Sequence, residues 1–452
     1  MRRITSSACL VGMVLIGTVS VALKVSTANV AANPQLKPNP GPQITCAGQP
    51  CDAVARGFRA FHSRQLVDLG GNGRSCADCH MPSDSFQLSP AGVEARFQKL
   101  QARLAEDADA DDPLFRPIDA DDFRVNGQMA SDYSNLRQNG LVRITFPLPS
   151  NIRLVDPATG NVSNESFVDV WRMVPSVNDV RITGDDGVNP WPRGPNTTGG
   201  YQLDARFATL QEQALGALLS HAEVQSLPSQ QFLDDVAAFQ LTLFSNPRVR
   251  ALAEAIDAGT DPLPDPDGPL TEFEQQGKAV FARACAQCHG GPRQSTTPVP
   301  IVRYHSIASQ CPRPVDPLGR WNFAPCPSRL ARNTRLYQVT QANGVTIRLP
   351  SSDPGRALLT GFVLGPSPFD DWNKFDVPGL RNISRTAPYF HNNSAATLEE
   401  MVDHYIELFK FIRASTPPGV PPPPVASTDG VNFDRQPQPS ERAALLAYLR
   451  KL

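Results

Sequence analysis

Apolar residues recur at helical spacing in several segments of the chain. In residues 51–66 (CDAVARGFRAFHSRQL) they mark one face of a helix. In residues 270–289 (LTEFEQQGKAVFARACAQCH) an apolar stripe follows Thr271 and Glu274, which have the spacing of a capping box. Two further helices are predicted in residues 228–244 (PSQQFLDDVAAFQLTLF) and 439–452 (PSERAALLAYLRKL).

Part of this pattern occurs twice. The segment FATLQEQALGAL (207–218) parallels AATLEEMVDHY (395–405), so an A-T-L-x-E helix start lies late in each half of the chain. Such self-similarity predicts an internal duplication. The turn-forming residues of GTDPLPDPDGPL (259–270) indicate the boundary between the two copies.

Two insertions have the pattern of β-hairpins. One covers residues 141–172, and the other covers 335–350 and turns at Asn343-Gly344. The Asp-rich stretch 106–122 lacks the spacing of an EF-hand, so we interpret it as a solvated loop, with calcium binding as the alternative.

Two short motifs carry the candidate chemistry, CADCH at 76–80 and CAQCH at 285–289. Two cysteines at this spacing present both thiols to one edge of a haem, and the histidine that follows lies where it can ligate the iron. A zinc ribbon would place its second cysteine pair about 15–20 residues further on, and a thioredoxin-like motif needs a βαβ frame, of which the sequence shows no sign. We therefore predict two haem c groups, bound by Cys76, Cys79, Cys285 and Cys288 with His80 and His289 as proximal iron ligands.

The first residues have the pattern of an export signal. A positively charged start precedes an apolar run from Ala8 to Leu23, and small residues follow it. We predict a Sec-type signal peptide over 1–32 and a periplasmic protein. An uncleaved inner-membrane anchor is the alternative, although the run is short for a membrane span.

The nine cysteines agree with export. Cys9 lies in the signal segment and four others belong to the CxxCH motifs. Two local pairs remain, Cys46 with Cys51 and Cys311 with Cys326, and we predict that both form disulfides in an oxidising compartment.

Composition limits the partners and the size of the fold. The length of 452 residues predicts two or three domains, and 40% hydrophobic residues predict a globular protein. The 42 basic and 44 acidic residues nearly cancel without forming a basic block, so we expect no nucleic-acid partner.

A family resemblance rests on three stretches: DPGRALLTG (353–361), FDVPGLRNISRTAPYFHNNSAATLEEMVDHY (375–405) and ATLQEQALGAL (208–218). In them the chain resembles the bacterial di-haem cytochrome c peroxidase family. That family includes the branch that completes the tryptophan-derived cofactor of methylamine dehydrogenase. The resemblance covers roughly residues 50–452 and is most specific towards the C-terminus.

The resemblance implies a mostly α fold of two cytochrome c-like domains with β-hairpin insertions. The first domain would cover residues 33–258, with an insertion at about 106–200, and hold the peroxide-reactive haem. A linker at 259–270 would lead to the second domain, 271–452, whose haem transfers electrons.

The resemblance also assigns residues around the first haem. Glu212 matches the family's acid/base glutamate, and Gln202 matches its polar partner. Glu212 also has capping-box spacing to Thr209, so a purely structural role is the alternative. Trp191 would be the tryptophan between the haems, with Trp171 as its rival.

Near Gln202 the chain departs from the family. Leu203 and Ala205 replace residues of a Trp-Asp-Gly-Arg-like run, which puts the shape of the pocket in doubt. No histidine lies between His80 and His221, which implies an open sixth position at the first iron or a different ligand there.

At the second haem the distal ligand separates two branches of the family. Fourteen residues after His391 the peroxidase branch has a methionine and the cofactor-maturing branch has a tyrosine; this chain has Tyr405. A phenolate is an anionic oxygen donor that favours ferric iron. Met401 is the alternative ligand and His404 a weaker one.

Family members also bind calcium between their domains. Thr386 and Pro388 match two of the ligand positions, whereas Met173 stands at the position of the third, an asparagine. His391 would pack or hydrogen-bond near the haem interface. The other histidines, predicted to be surface or structural residues, are His62, His221 and His305.

The resulting prediction is a periplasmic di-haem peroxidase. It would reduce hydrogen peroxide with electrons from a small cytochrome, a cupredoxin or an oxidisable substrate protein. One alternative is a non-enzymatic di-haem electron carrier, and another is a peroxide-dependent protein-modifying oxidase or oxygenase. A homodimer is left open.

Overall fold

The structure is a computed structural model. The predicted signal segment 1–32 and Trp191 lie outside the residues it describes, and contacts join residues 43–452 into one unit. Among the described residues, no helix has both the length and the apolar composition needed to cross a membrane. The described residues are 46–66, 68–121, 123–125, 128–130, 132–183, 200–286, 288–291, 304–305, 308–313, 326–364, 370–415 and 437–452.

Helices dominate the described residues, as predicted, and small antiparallel sheets accompany them. The first half contains α1 (Cys51–His62), α2 (Cys76–Cys79), α3 (Pro90–Leu104), α4 (Ser134–Asn139), α5 (Val180–Thr183), α6 (Leu210–Ser220), α7 (Gln230–Gln240) and α8 (Pro247–Asp257). The second half contains α9 (Glu272–Ala284), α10 (Ser328–Ala331), α11 (Ala357–Thr360), α12 (Leu398–Ser415) and α13 (Arg442–Leu449).

A pair of crossing helices recurs in the two halves. α1 packs against α7, and α9 packs against α13. At the crossings, a Cβ on Gly57 would lie 1.8 Å from the carbonyl oxygen of Asp235, and a Cβ on Gly277 would lie 2.0 Å from that of Ala444. Only glycine lets the two backbones approach so closely.

The side chains at the two crossings also correspond. Phe61 meets Phe239 edge to face at 5.2 Å between ring centroids, and Phe281 meets Tyr448 in the same way at 5.4 Å. Such aromatic pairs add to the apolar burial that holds each helix pair together. We refer to α1, α6 and α7 as the first repeat and to α9, α12 and α13 as the second; each set surrounds its own apolar core.

Matching loops lead into α6 and α12. Backbone bridges join Tyr201 to Phe207 and Tyr389 to Ala395. The residue after each tyrosine has a left-handed backbone, with φ of 76° at Gln202 and 71° at Phe390. The two loops therefore follow the same backbone path, and the side chains after the left-handed residue leave it at equivalent points.

The caps of α6 and α12 are the same as well. The Thr209 hydroxyl accepts from the Glu212 amide at 3.1 Å, and the Glu212 carboxylate accepts from the Ala208 amide at 2.9 Å. In α12 the Thr397 hydroxyl accepts from the Glu400 amide at 3.2 Å, and the Glu400 carboxylate accepts from the Ala396 amide at 2.7 Å. The predicted A-T-L-x-E repeat is thus a repeated helix start.

A further repeat, sharing only Val-Pro, was not predicted from the sequence. Segments 174–179 (VPSVND) and 377–382 (VPGLRN) end in left-handed residues, Asp179 with φ 63° and Asn382 with φ 65°. Their amides donate to the carbonyl oxygens of Leu243 and Leu452, at 2.9 and 3.0 Å, just past α7 and α13.

The strands form four small sheets within the described residues. The predicted hairpin at 335–350 is confirmed, with Thr340 opposite Thr346 and Gly344 in the turn at φ 82°. The pairings are β1 (Phe123–Val125) with β2 (Gln128–Ala130), β3 (Leu141–Pro147) with β5 (Phe167–Met173), β4 (Ile152–Val155) with β7 (Arg335–Thr340), β7 with β8 (Thr346–Ser351), and β6 (Tyr304–His305) with β9 (Phe375–Asp376).

The prediction of one hairpin over 141–172 is correct for its outer strands only. β3 and β5 pair antiparallel, but β4, which lies between them in sequence, joins β7 and β8 instead. Ile152 and Leu154 of β4 are buried opposite Val339 and Tyr337 of β7. This distant apolar contact explains why β4 leaves the hairpin.

The two longest helices that were not predicted are α3 and α8. Ser89 caps the first by accepting from the Gly92 amide, and Pro90 occupies its first position. Asn246 caps the second, and Pro247 begins it. A capping side chain followed by proline is a helix-start signal that the sequence does contain.

The Asp-rich stretch is a loop, as predicted, with one turn of 3₁₀ helix at Pro113–Phe115. Four of its aspartates pair with arginines, which accounts for much of its negative charge. Both predicted disulfides are present, Cys46–Cys51 and Cys311–Cys326.

One buried ion cluster links β5 to the second half of the chain. Arg172 is 1% exposed and donates to both carboxylate oxygens of Asp353, at 2.6 and 3.0 Å. It also donates to Asp204 at 2.5 Å, and Arg206 donates to the same aspartate at 2.9 Å. Each buried charge in this cluster has an opposite partner, as a water-free site requires.

Candidate haem sites and the cavity beside His80

The first CxxCH motif is a single helical turn, α2, held by a buried carboxylate. Asp78 is 2% exposed and accepts from the amide and the hydroxyl of Ser75, both at 2.9 Å. Arg64 and Arg96 pair with it from outside the turn. These ion pairs and hydrogen bonds outweigh burial, so the pKa of Asp78 lies below its usual value.

The two cysteines of α2 are free thiols that line a cavity. Burial raises the pKa of Cys76 and of Cys79 to about 12. Neither thiol is in a disulfide, although both predicted disulfides of the same chain are formed. Two free, adjacent thiols facing a cavity are what thioether attachment of a haem requires.

His80 ends α2, and its orientation is fixed by two backbone oxygens. Its Nδ1 lies 3.1 Å from the carbonyl oxygen of Phe86 and 3.0 Å from that of Pro175. Nδ1 must therefore carry the proton, which leaves the Nε2 lone pair as the metal-ligating atom. Burial lowers the pKa of His80 to about 4 and keeps the imidazole neutral, the form that binds iron.

The cavity encloses about 1130 Å³ of space not occupied by protein atoms, part of it open to solvent. One wall is a stripe along α6, in which Leu210, Ala214, Ala217 and Leu218 recur at helical spacing. Ala214 and Ala217 have small side chains, so this wall leaves room in the cavity. The cavity, the thiols and His80 together fit a covalently bound haem c.

Several polar side chains line the cavity. Gln202 lines it, as predicted, together with Gln213 of α6. His221 also lines it, so the prediction that this histidine is merely a surface or structural residue is incomplete. Its Nδ1 lies 2.9 Å from Asp119, whose other carboxylate oxygen lies 2.9 Å from Arg74.

Glu212 lies outside this group. Its side chain is exposed and its carboxylate caps α6 through the Ala208 amide, while its neighbour Gln213 faces the cavity. The acid/base role assigned to Glu212 stays a prediction, and the geometry favours the capping role.

The second CxxCH motif repeats the arrangement of the first. Cys285 ends α9, and neither Cys285 nor Cys288 is in a disulfide. The Nδ1 of His289 lies 3.0 Å from the carbonyl oxygen of Pro378, as that of His80 lies beside Pro175. The Val-Pro repeat therefore places a proline carbonyl oxygen beside each CxxCH histidine, a signal that sequence reasoning did not use.

Tyr405 of α12 is partly buried and lies close to these thiols. The nearby cysteines Cys285 and Cys288, together with burial, raise the pKa of its phenol above the usual value; burial has the larger effect. Met401, the alternative ligand, is buried in the apolar core between α9, α12 and α13. The effect of the two cysteines places Tyr405 near the second CxxCH motif, where a haem would be attached.

The equivalent caps align α6 with α12 residue by residue. With Thr209 set against Thr397, Tyr405 corresponds to Ala217. The second repeat thus presents a phenol where the first repeat presents a methyl group to the cavity. A haem bound at 76–80 would have no ligand from this helix position.

Sequence comparison points in the same direction. The cytochrome-c peroxidase IdrP2 of Denitromonas iodatirespirans is 30% identical to this chain over 138 residues, which are 30% of this chain and 32% of that protein. Over these residues the chain is similar to a cytochrome-c peroxidase. The predicted family resemblance is therefore confirmed.

A second relative is hydrazine synthase subunit gamma of Kuenenia stuttgartiensis. It is 24% identical over 234 residues, which are 49% of this chain and 59% of that protein. The chain thus spans about a third of the first relative and less than two thirds of the second. No family model matches the chain.

Among solved structures, the chain is similar to the diheme peroxidase BthA from Burkholderia thailandensis E264. The identity is 17% and the TM-score is 0.43, over 89% of this chain and 86% of that one. At this TM-score the similarity adds nothing to the argument from sequence and geometry.

The di-haem peroxidase resemblance also predicted calcium at Thr386 and Pro388. In the structure, the Gln87 side-chain amide donates to the neighbouring carbonyl oxygens of Arg385 and Ala387, at 3.3 and 3.1 Å. No group of three acidic, histidine or cysteine side chains suited to a metal occurs among the described residues. Calcium binding stays a prediction, and Gln87 already bridges this loop without an ion.

The remaining predicted residues fall in several places. Trp171 is buried and donates to the Asp121 carbonyl oxygen at 3.0 Å, within an apolar cluster around Cys311. His391 is buried and stacks on Phe375 at 4.0 Å between ring centroids. His62 and His404 contact neighbouring aromatic rings.

Proposed function

We propose that the protein is a periplasmic di-haem c-type cytochrome that reduces hydrogen peroxide at the haem bound by residues 76–80. Electrons would come from a one-electron donor protein, such as a small cytochrome or a cupredoxin, through the haem bound by residues 285–289. When bound, the first haem supplies an iron that binds peroxide and passes electrons to it. The protein's own residues decide which iron is accessible.

The proposal rests on one observation: α12 has Tyr405 at the position where α6 has Ala217. A phenol oxygen at the second site can complete the iron's coordination, whereas a methyl group cannot. The first site thus keeps a position for an incoming oxidant, and the second is suited to electron transfer.

The walls of the first site support a small polar substrate. Gln202, Gln213 and Gln240 line the cavity with amide groups, next to the hydroxyl of Ser176. Amides can accept and donate hydrogen bonds to a peroxide without changing charge. The polar groups are few and the rest of the wall is largely apolar, which is typical of a small-molecule site.

Location in the periplasm is supported by two features. The export-signal pattern at 1–32 precedes the described residues, and the two disulfides need an oxidising compartment. Hydrogen peroxide and soluble metalloprotein donors can both reach a protein there.

A second candidate function is peroxide-dependent oxidation of another protein. Tyr405 favours it, because a phenolate ligand stabilises ferric iron and the resemblance associates tyrosine at this position with the cofactor-maturing branch. In that case the second haem would withdraw electrons from a substrate protein in place of a dedicated donor. The first site would work in the same way in both cases.

The test uses holoprotein with both haems attached. We expect the ferric protein to give one high-spin and one low-spin electron paramagnetic resonance signal, from the first and second haem respectively. With a reduced small cytochrome or cupredoxin it should consume hydrogen peroxide and oxidise two donor molecules per peroxide.

Matched double variants assign the signals. Cys76→Ala with Cys79→Ala should remove the high-spin signal and the turnover. Cys285→Ala with Cys288→Ala should remove the low-spin signal and leave the high-spin one. Two low-spin irons and no peroxide consumption would instead identify a non-enzymatic electron carrier.

A further inference from the structure

Three cavity-lining side chains outside the CxxCH motif are of types that can carry a charge near neutral pH. Among the described residues that line the cavity these are Arg74, Asp119 and His221. Rearrangement of the bound peroxide requires a group that accepts a proton and returns it. We therefore asked which of the three has an atom available for that task.

All three nitrogens of the Arg74 guanidinium are engaged with other protein groups. It is 2% exposed, and its guanidinium donates to the carbonyl oxygens of Pro113, His221 and Arg116 at 3.1, 2.6 and 2.8 Å. It also lies 2.9 Å from Asp119. A guanidinium keeps its proton in proteins, so Arg74 cannot act as a base.

Asp119 is committed as well. It is 3% exposed, with one carboxylate oxygen beside Arg74 and the other 2.9 Å from Nδ1 of His221. Arg74 balances the charge of the carboxylate, and the carboxylate orients the imidazole. Nδ1 of His221 therefore carries the hydrogen that faces Asp119, and Nε2 is left with its lone pair.

His221 is the member of the three with a ring nitrogen left for the cavity. Its side chain lines the cavity and is 22% exposed, so it is neither sealed in the core nor fully in solvent. An imidazole held by a buried carboxylate is the usual form of a general base with a fixed tautomer.

His221 follows the last residue of α6 and lines the same cavity as Cys76, Cys79 and His80. It comes four residues after Ala217, the residue equivalent to Tyr405, which is about 6 Å along a helix. His221 therefore occupies a different position on the cavity wall from the one that carries the phenol in the second repeat.

We propose that His221 is the catalytic acid–base residue of the first haem site. It takes the proton from the inner oxygen of hydrogen peroxide and returns it to the outer oxygen, which leaves as water when the O–O bond breaks. Two electrons from the one-electron donor and two protons from solvent convert the remaining oxygen to the second water. The inference rests on the proposed peroxide reduction and names the residue that moves the proton.

Asp119 acts as a positioning residue in this scheme. It does not touch the substrate, and it holds the imidazole tautomer that leaves Nε2 available. Glu212, the acid/base residue suggested by resemblance, is exposed and engaged at the α6 cap. The sequence alone hides this pair, since Asp119 lies 102 residues before its histidine.

The first experiment compares the ferric holoprotein with His221→Gln in a single-turnover reaction with hydrogen peroxide. We expect the variant to bind two haems, keep the high-spin signal and react about 100-fold or more slowly. His62→Gln is the matched control, because His62 bonds to the Phe58 carbonyl oxygen and does not line the cavity. It should react at the parent rate.

The second experiment needs no turnover. Cyanide is HCN at neutral pH and must lose a proton to bind ferric iron, whereas imidazole binds as a neutral molecule. In His221→Gln we expect slower cyanide association, by a factor similar to that for peroxide, and unchanged imidazole association. If His221 only shaped the cavity, the substitution would change the association rates of cyanide and imidazole by the same factor.

Several outcomes overturn the inference. If the variant reacts with peroxide at the parent rate, or loses cyanide and imidazole association equally, His221 does not move the proton. If a low-spin signal of the parent becomes high-spin in His221→Gln, His221 is an iron ligand instead. If the parent itself does not react with peroxide, the proposed function fails and this inference fails with it.

Discussion

The two repeats share a backbone and differ in the residues that meet the haem. The loops before α6 and α12, their caps and the glycine at each helix crossing correspond closely. So do the carbonyl oxygens of Pro175 and Pro378 beside the proximal histidines. In the proposed function the shared features would attach and orient a haem, and the difference between Ala217 and Tyr405 would determine what its iron can bind.

The comparison shows how a duplicated scaffold can acquire two roles. Each CxxCH histidine lies beside a Val-Pro carbonyl oxygen, so the proposal assigns the difference in reactivity to a few positions on one helix face. In α6 that face has alanines and a glutamine and ends near His221; in α12 it carries Tyr405. Exchanging these positions is the most direct way to test the comparison.

The largest effect is expected from Ala217→Tyr, which gives the first repeat the residue of the second. The phenol should fill the open position, so peroxide reduction should be abolished and the high-spin signal should become low-spin. Both are measured on the holoprotein by turnover and electron paramagnetic resonance. The reciprocal change, Tyr405→Ala, should produce a new high-spin signal.

A large phenol that merely blocks the cavity would also stop turnover. In that case Ala217→Phe would behave in the same way and the high-spin signal would persist in both variants. Loss of the signal only in the tyrosine variant supports ligation. An active Ala217→Tyr variant would contradict the alignment of the repeats.

The next effect concerns the helix crossings. Gly57→Ala and Gly277→Ala should each lower the free energy of unfolding by about 3 kcal/mol, because the added Cβ meets a backbone oxygen at 1.8 or 2.0 Å. Chemical denaturation measures the change. The control Gln276→Ala, on the exposed side of α9, should change it by less than about 0.5 kcal/mol.

If only one glycine variant is destabilised, the crossings are not energetically equivalent. The structural correspondence would then be limited to geometry. Equal losses would show that both repeats depend on the same close approach.

A pH effect is expected at the Val-Pro repeat. Burial raises the pKa of Asp179 to about 6, above its unfolded value of 3.8. Its stabilising contribution is therefore complete below pH 3.8 and is lost as pH rises through about 6. Asp179→Asn, which installs the amide found at Asn382, should raise the free energy of unfolding above pH 7 by about 2–3 kcal/mol.

The matched variant is Asn382→Asp, which buries a carboxyl group in the second repeat. In this variant the free energy of unfolding should fall as pH rises, because the new carboxyl group becomes charged. The parent has no titrating group at this position. Denaturation curves at several pH values decide the matter. A pH profile unchanged in both variants would contradict the pKa of Asp179.

The smallest effect is expected at the helix caps. Glu212→Ala and Glu400→Ala each remove a carboxylate that accepts one backbone amide, at 2.9 and 2.7 Å. We expect similar losses of stability, roughly 0.5–1 kcal/mol, and unchanged peroxide rates. A rate lost only in Glu212→Ala would restore its predicted acid/base role.

Features that depend on neighbouring residues could be predicted from the sequence. The CxxCH motifs, the capping box at Thr271 and the hairpin at Asn343-Gly344 each lie within a few positions, so local chemistry specifies them. The two disulfides close short loops for the same reason.

Features that depend on residues far apart in the chain could not be predicted from the sequence. The pairing of β4 with β7 joins residues more than 180 positions apart, and its strength comes from burial of Ile152 and Leu154. Likewise, His221 looks like an ordinary polar residue until Asp119 is placed beside it. The two prolines that orient the histidines share too short a motif to be recognised.

The ion cluster around Arg172 has a consequence for how this chain could be divided. Its guanidinium sits on β5 in the first half, but one of its two carboxylate partners, Asp353, comes from the second. A fragment that ends at residue 259 would keep Arg172 and Asp204 but lack Asp353, so one of the two carboxylate partners of Arg172 would be missing. We therefore expect neither half of the chain to be as stable alone as it is beside the other.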